Sequence, residues 1–336
     1  MRLSIITYHR ICNVDDNFDY HRGVVSASPA NFEAQLRYLK HNRTIITTND
    51  LLYIMKHNLK LPPKATVVTF DDGYRDNYST ALPILLRQGV TAIFFITTGF
   101  VDQKLRPWSD DLAVIFNRTK CTELMIDGVG WVSLQSKAEC LEAINRVNVY
   151  IKHYKSAEAT TFIQNLSKLA KVSLKAEKRL FMNWDEVLKL QKAGMILAPH
   201  TETHLNLATA TLAQSRSEIE RSQARLTEMT GKTSAVFAYP YGEQVARAAD
   251  LQEILRNSGV ELAFTTEFGP NRLSPTTNYL ALRRFNVHHS LSMIKFKIML
   301  TGNAYAAYNM RHMLLQKRLK TKRSTQSILT SPHNKS

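Results

Sequence analysis

Short apolar runs recur along the chain, and each is bounded by polar or turn-forming residues. Runs of four to six residues with such boundaries are typical of buried strands. The predicted strands are residues 3–8, 66–70, 91–96, 195–198, 235–239, 262–265 and 280–284.

Helical patterns fill the intervals between these strands. Residues 28–40 open with Ser-Pro, a cap followed by a first-turn proline, and continue with helical spacing of the apolar positions. The alternation of strand and helix favours a parallel α/β fold, either a barrel or a doubly wound sheet. The other predicted helices are residues 80–88, 184–193, 211–230 and 246–258.

Residues 104–180 interrupt this alternation. Their pattern is mostly helical, with a strand signal only at 123–132. We interpret them as an insertion that covers one end of the scaffold and shapes a substrate groove. The predicted organisation is a catalytic domain over residues 1–300, which contains the insertion, and a basic, partly disordered tail over residues 301–336.

Charge is distributed unevenly along the chain. There are 44 Lys and Arg against 28 Asp and Glu, a net charge of +16, and no acidic residue follows Glu267. The basic segment 311–323 is interleaved with Leu and Met, which suits an anionic membrane surface. A solvated tail without a partner is the alternative. Nucleic acid is an unlikely partner, because no groove motif with interleaved aromatic residues accompanies the charge.

Cysteine usage and targeting signals bear on the compartment. Cys12, Cys121 and Cys140 lack paired spacing and indicate no disulfide framework. The apolar run at 3–8 is too short for a signal peptide, and no run approaches the length of a transmembrane helix. We therefore expect a cytoplasmic protein, which the basic C-terminus can hold peripherally at the inner face of the membrane.

Two adjacent carboxylates follow the predicted strand 66–70. Asp71 and Asp72 stand in the segment TFDDG, and α/β folds place their sites in loops after the carboxyl ends of parallel strands. Like charges in one pocket repel, so a cation is favoured there, with one carboxylate as its ligand and the other as a base. An Asp-Gly turn with a helix-capping Asp is the alternative for this motif alone.

A pair of histidines follows the predicted strand 195–198. His200 and His204 stand in the segment PHTETH, and the i, i+4 spacing predicts that both lie on one face of a helical turn. Two histidines and one carboxylate, each after a strand, form a metal site with open positions for water.

Together the two motifs resemble the polysaccharide deacetylases of carbohydrate esterase family 4, which include nodulation-factor and peptidoglycan deacetylases. TFDDG matches the family's first motif at all five positions, and His200-Thr201-x-x-His204 matches its second, H-[S/T]-x-x-H. The segment AYPY at 238–241 matches the third, R-x-P-Y, in part. YHR near the start and SPANFEAQLRYLK are also similar, so the resemblance spans residues 1–290. It implies a distorted (β/α) barrel.

The resemblance also implies roles for the motif residues. Asp72, His200 and His204 would bind a divalent metal, usually zinc in such enzymes. Asp71 would be the general base that takes a proton from water.

The residues of the third motif would contact the substrate. These are Tyr239, Pro240 and Tyr241, and the backbone N–H of Tyr241 would hold the oxyanion. The same stretch is typical of a tight turn after a strand, and the two roles can coexist.

The sequence departs from the family pattern at two points. Ala238 stands where the family commonly has an Arg that orients the catalytic Asp, and Arg284, in the segment LRRFNV, is the predicted substitute. The C-terminal L-x-H motif that supplies the general acid is absent. His9, after the predicted strand 3–8, is the candidate acid, because some family members are circularly permuted so that this strand comes first. The alternatives are a surface charge for Arg284 and a core residue for His9.

The predicted function is metal-dependent removal of N-acetyl groups from a GlcNAc-like polysaccharide or lipid-linked glycan. Hydrolysis of O-acetyl esters by the same site is one alternative, and a catalytically silent glycan-binding protein is another. Asp71 argues against the silent protein, because a binding protein has no need of a base.

Overall fold

The computed structural model describes residues 2–15, 18–151, 154, 156–174, 179–242 and 248–301. The predicted basic tail lies outside these residues apart from Thr301. The start of the predicted helix 246–258 also lies outside them.

Within these residues the strands and helices follow the predicted alternation. The strands are β1 (Arg2–Tyr8), β2 (Arg10–Ile11), β3 (Val25–Ala27), β4 (Thr44–Ile45), β5 (Ala65–Phe70), β6 (Ile93–Ile96), β7 (Glu123–Ile126), β8 (Gly130–Ser133), β9 (Ile196–Pro199), β10 (Val236–Ala238), β11 (Leu262–Phe268), β12 (Asn271–Arg272) and β13 (Leu282–Asn286). The helices are α1 (Pro29–Asn42), α2 (Thr48–Lys56), α3 (Leu82–Gln88), α4 (Thr98–Val101), α5 (Trp108–Arg118), α6 (Lys137–Ile151), α7 (Ser156–Leu169), α8 (Trp184–Lys192), α9 (Leu212–Thr230), α10 (Ala249–Asn257) and α11 (Met293–Thr301). A 3₁₀ turn spans Arg22–Val24, and a π-helical turn at Asn77–Ala81 leads into α3.

The main sheet is mostly parallel and curves nearly into a closed barrel, with the short strand β12 paired antiparallel to β1. Its strand order is β10-β11-β13-β1-β5-β6-β9, and every neighbouring pair along this path is parallel. The ends of the path, β9 and β10, lie side by side. The ring of His200, after β9, donates from Nδ1 to the carbonyl of Ala238 in β10 at 2.8 Å, so a side chain joins the two ends.

Side chains of the central strands alternate between the barrel interior and the surrounding helices. In β1, Leu3 and Ile5 belong to the interior cluster, whereas Ile6 and Tyr8 belong to the cluster beneath the helices. Strands buried on both faces read as continuous apolar runs rather than as alternating ones, and β5 is buried along its whole length. This burial explains why the strands could be predicted from the apolar runs in the sequence.

The first helix is fixed by the cap that its sequence predicts. The Ser28 side chain accepts a hydrogen bond from the backbone N–H of Asn31, and Pro29 occupies the first turn. Phe32, Leu36 and Leu39 are then buried against β1 and β5, so this helix covers the outer face of the two strands.

The insertion between β6 and β9 forms its own apolar cluster. Helices α5, α6 and α7 pack with the β7–β8 hairpin around buried side chains such as Leu112, Val132 and Val147. The segment is mostly helical, as its pattern predicts. Within the described residues, no helix is both long and apolar enough to cross a membrane.

Candidate active site

The predicted site residues converge at the carboxyl ends of the barrel strands. His9 follows β1, Asp71 and Asp72 follow β5, His200 follows β9, and Arg284 lies within β13. Parallel strands have their carboxyl ends at one edge of the sheet, so residues distant in sequence meet there.

Asp72 and the two histidines form a compact group of ligand atoms. Asp72 Oδ1 lies 3.5 Å from His200 Nε2 and 3.3 Å from His204 Nε2, and one ligand atom from each residue lies within 4.8 Å of the others. The Asp72 oxygen is buried and accepts no hydrogen bond within the described part of the chain. A buried carboxylate oxygen left in this way is costly unless a cation compensates it.

The orientation of His200 strengthens the case for a metal. Its Nδ1 donates to the Ala238 carbonyl, so in the neutral ring the Nε2 atom presents a lone pair towards the Asp72 carboxylate. Two electron-rich atoms facing each other need a cation between them. Histidine ligands commonly donate their second ring N–H to a carbonyl in this manner, and the set of two imidazoles and one carboxylate fits a divalent metal.

Electrostatics keep the Asp72 carboxylate in its ligand form. Burial alone would raise the pKa of Asp72, but positive charge or an N–H donor on the facing His204 and His200 imidazoles holds that pKa well below its usual range, and a bound metal would supply the same stabilisation. An ionised carboxylate is the form that binds a metal.

Left-handed backbone conformations are concentrated at this site. Of the eight non-glycine residues with positive φ in the described ranges, four lie here: Asp72, Thr201, His204 and Tyr241. Gly73, with φ of 86°, continues the left-handed turn that Asp72 begins. Such conformations cost free energy and recur at functional sites, where the surrounding structure enforces them.

The predicted helical turn at the histidines is wrong. Residues 200–206 form a loop rather than a helix, and the left-handed residues Thr201 and His204 bring the two imidazoles together. Their ring centroids are 5.1 Å apart. The i, i+4 spacing therefore predicted the proximity but not the backbone that produces it.

Contacts from two other segments hold this loop. The Glu218 carboxylate, on α9, accepts hydrogen bonds from the backbone N–H groups of Glu202 and Thr203 and from the Thr203 hydroxyl, at 2.6–2.9 Å. Gly99 donates its N–H to the Glu202 carbonyl, and a Cβ atom at Gly99 would lie only 2.6 Å from that oxygen. Glycine is therefore required where α4 meets the loop.

Asp71 is held by Arg284 in a fully buried ion pair. The guanidinium donates from Nη1 and Nη2 to the two carboxylate oxygens, at 2.8 and 2.7 Å, and from Nε to the Thr265 carbonyl at 2.7 Å. Burial alone would raise the pKa of Asp71, but Arg284, followed by His200 and His9, holds that pKa below its usual range. The carboxylate is thus fixed in one orientation and kept ionised.

His9 stands beside this pair at the edge of the pocket. Its Nε2 atom lies 4.0 Å from Asp71 Oδ2, and the side chain is 25% exposed. The backbone of His9 is held from both sides, since its N–H donates to Ser26 Oγ at 2.9 Å and its carbonyl accepts from Asn77 Nδ2 at 2.6 Å. His9 is therefore placed within reach of the pocket and is not a core residue.

The three residues predicted to contact substrate differ in their surroundings. The ring of Tyr241 packs edge-on against His204, with centroids 4.8 Å apart, and is half-exposed. Tyr239 forms part of the pocket wall, but it is fully buried and its hydroxyl donates to the Leu280 carbonyl at 2.8 Å. Pro240 is buried as well. The packing therefore leaves Tyr241 as the member of this stretch whose side chain is exposed at the pocket.

Residues from the insertion complete the pocket. Trp108, Ser109 and Asn148 line it beside the motif residues, in a cavity of about 290 Å³. A second cavity, of about 730 Å³, extends from it between the insertion and the loop after β9. No sequence motif had indicated these three lining residues. The residues that border both cavities are Phe100, Pro107, Trp108, His204, Tyr241 and Thr266.

Comparison with known proteins identifies the family. Residues 58–263, more than half of the chain, match the family model described as polysaccharide deacetylase. The chain belongs to the polysaccharide deacetylase family. This is carbohydrate esterase family 4, whose members are metal-dependent hydrolases, and the resemblance first seen in two motifs is thereby confirmed.

Curated relatives and solved structures agree with this assignment. Poly-beta-1,6-N-acetyl-D-glucosamine N-deacetylase of Staphylococcus aureus is 28% identical over 208 residues, covering 56% of this chain and 69% of the relative. The putative polysaccharide deacetylase YxkH of Bacillus subtilis is 21% identical over 311 residues, covering 91% of this chain and 76% of the relative.

Among structures, Streptococcus pyogenes deacetylase PplD in complex with acetate has a TM-score of 0.60 at 16% identity, covering 89% of this chain and 98% of that chain. IcaB from Ammonifex degensii has a TM-score of 0.55 at 18% identity, covering 89% of this chain and 96% of that chain. At these identities the structural matches establish the barrel fold, as the sequence predicts.

In this polysaccharide deacetylase, the arginine that orients Asp71 comes from a different strand than the third motif. Ala238 has no side chain that can reach Asp71, and its carbonyl instead orients His200. Arg284, on β13, makes the contact with Asp71. The departure from the third motif thus leaves the Asp71 carboxylate with an arginine partner.

Proposed function

We propose that the chain is a metal-dependent N-deacetylase that removes acetyl groups from GlcNAc-like residues of a glycan. The observation that carries this proposal is the group of Asp72, His200 and His204 directly beside the Asp71–Arg284 pair in one pocket. A protein that only binds glycans has no need of a buried ionised base next to a metal site.

The relatives support this choice of substrate. The name of the Staphylococcus aureus relative specifies N-deacetylation of poly-beta-1,6-N-acetyl-D-glucosamine. PplD was solved with acetate, which is the product that deacetylation releases. We assign the same linkage class, an N-acetyl amide on an amino sugar, to this chain.

Asp72, His200 and His204 would hold the metal, and zinc is the proposed ion because two imidazoles and one carboxylate form a common catalytic zinc site. When bound, such a metal lowers the pKa of a water ligand and polarises a carbonyl.

Asp71 is the proposed general base. It is ionised and its two oxygens are fixed by Arg284, so it can accept a proton from the attacking water without reorienting. Arg284 acts through Asp71 and is a positioning residue.

His9 is the proposed general acid. Amide hydrolysis expels an amine, which is a poor leaving group unless it is protonated as the C–N bond breaks. The His9 ring borders the pocket and lies 4.0 Å from Asp71, so a proton donor is available at the reacting centre. An ester has a better leaving group and depends less on this donor, which favours the amide as substrate.

Tyr241 is the proposed hydrogen-bond donor that stabilises the oxyanion, through its backbone N–H. Its backbone is held with φ of 56° at the rim of the pocket, and a backbone N–H fixed in this way is a preorganised donor. We infer that the larger cavity beside the pocket accepts neighbouring sugars, with Trp108 and Tyr241 as aromatic surfaces for their apolar faces.

The test is turnover of defined β-1,6-linked GlcNAc oligosaccharides by the full chain, measured as free amine and acetate released. Asp71→Asn, which retains the side-chain shape, is the matched control and should be inactive. Release of acetate from O-acetylated sugars alone would establish the esterase alternative. Binding of the oligosaccharides without any turnover would establish the silent glycan-binding protein.

A further inference from the structure

A basic cavity lies at the end of the barrel opposite the catalytic pocket. It has a volume of about 330 Å³, and four cationic side chains line it together with neutral residues. Arg2 opens β1 and Lys64 immediately precedes β5, whereas the catalytic residues follow the carboxyl ends of these same strands. The cationic lining residues are Arg2, Arg43, Lys64 and Lys297.

The positive charge of this cavity is not balanced by carboxylates. None of the lining residues is acidic. Arg2, Lys64 and Lys297 form no ion pair with the residues that the structure describes, and Arg43 donates only to neutral acceptors, Ser4 Oγ, Thr66 Oγ1 and the Leu300 carbonyl. A concave surface of one sign of charge attracts ions of the other sign. The cavity therefore suits an anion such as a phosphate group.

The last helix places an apolar surface beside this cavity. In α11, Phe296, Met299 and Leu300 are buried against the barrel, whereas Ile294 and Ile298 are 71% and 48% exposed. With 3.6 residues per turn, the two isoleucines share the middle of the exposed face.

Lysines lie at the two edges of that face. Lys295 stands on one side and Lys297 on the other, and Lys297 also lines the cavity. An apolar centre with cationic edges is typical of helices that lie in the interface of a bilayer.

We propose that this face, formed by the basic cavity and α11, docks the protein on an anionic phospholipid bilayer. The cavity receives a phosphate-bearing headgroup, and Ile294 and Ile298 enter the boundary between headgroups and acyl chains. The sequence after α11 adds seven Lys and Arg and no acidic residue between 302 and 336, although the structure of that tail lies outside the described residues. A nucleic acid would neutralise the charge but would leave the two isoleucines in water.

Co-sedimentation of the full chain with vesicles tests the proposal. Vesicles of phosphatidylcholine mixed with phosphatidylglycerol should bind the protein, and pure phosphatidylcholine vesicles should not. Lys64→Gln/Lys297→Gln should weaken binding on the order of 25-fold, about five-fold for each lysine near the surface. Ile294→Ser/Ile298→Ser should weaken it as well, and rising salt should weaken binding of the parent protein.

Lys120→Gln/Lys171→Gln is the matched control, because it removes the same charge from exposed positions in the insertion. This variant should bind vesicles as the parent does, and all the variants should retain their thermal unfolding temperature. Equal binding by the two double-lysine variants would overturn the proposal, as would equal binding to neutral vesicles. If the isoleucine variant binds vesicles normally while Lys64→Gln/Lys297→Gln loses duplex DNA binding, the face is a nucleic-acid surface and the proposal fails.

Discussion

Arg284 donates hydrogen bonds to both carboxylate oxygens of Asp71 across 213 residues of sequence, and both side chains are buried. A bidentate contact of this kind fixes the plane of the carboxylate as well as its position. Because Asp72, the next residue, belongs to the candidate metal site, the same contact also fixes the proposed base relative to the residues that would hold the metal. The arginine that the third motif lacks is thus supplied from a different strand.

Removal of Arg284 should cost both stability and turnover. Arg284→Met leaves Asp71 buried without a partner, which typically costs about 3–5 kcal/mol of the free energy of unfolding. Asp71→Asn/Arg284→Met removes both charges and should recover part of that loss, yet remain inactive. Denaturant unfolding and kcat measure the two effects. An unfolding midpoint for Arg284→Met equal to that of the parent would contradict the ion pair.

Metal binding should depend on both histidines of the loop after β9. His200→Ala/His204→Ala removes two of three ligands and should lose the metal and the activity together. Elemental analysis after dialysis measures the metal, with His41→Ala, an exposed histidine on α1, as the control. The parent should also unfold at a lower temperature after chelation, because metal bound only by the folded state stabilises that state. Full metal content in the double variant would remove these histidines from the site.

Loss of the His9 side chain should lower kcat more on amide substrates than on activated esters. His9→Ala should lower kcat on an N-acetylated oligosaccharide by roughly 10²–10⁴-fold, the usual worth of general acid–base help. On an aryl acetate the loss should be much smaller, because the aryl oxide leaves without a proton. Asn77→Ala, which frees the His9 carbonyl, should show the same preference in weaker form. An equal loss on both substrates would mean that His9 is not the acid.

Asp111, in the first turn of α5, should make the insertion more stable in mild acid. Burial raises the pKa of Asp111 to about 6, with Arg106 opposing the shift and Asp110 adding to it. A carboxyl group with a raised pKa contributes stability below its usual pKa, and that contribution disappears as pH rises through 6.

Asp111→Asn should therefore unfold with a free energy about 1–2 kcal/mol higher than the parent at pH 8 and nearly equal to it at pH 4. Denaturant unfolding at the two pH values measures the difference. If the free energies of unfolding of Asp111→Asn and the parent differ by the same amount at pH 8 and pH 4, the effect comes from packing and not from ionisation.

The strands could be predicted because β1 and β5 are covered on both faces. Strands buried in this way have continuous runs of apolar residues, and such runs can be recognised in the sequence. The candidate metal ligands Asp72, His200 and His204 could be predicted as well, because they stand in the two motifs TFDDG and PHTETH. Arg284 emerged only as a substitute for the residue missing at Ala238.

Features made by contacts between distant segments left no such signal. The left-handed backbone at Thr201 and His204 is enforced by Glu218 and Gly99, neither of which stands in a motif. Asn148 lines the pocket only because the insertion folds back over the barrel. Helix α11 was not predicted either, because its exposed isoleucines obscure the helical period of its buried face.

Because the barrel strands run parallel, they fix the distance between the basic cavity and the catalytic pocket. The basic cavity is at the amino ends of the strands and the catalytic pocket at their carboxyl ends, so the two are separated by at least the length of β5, six residues or about 20 Å. A protein docked through the cavity would hold its pocket that far above the lipid headgroups. It would then act on sugars that a growing glycan carries out from the surface and would pass over those attached directly to the lipid.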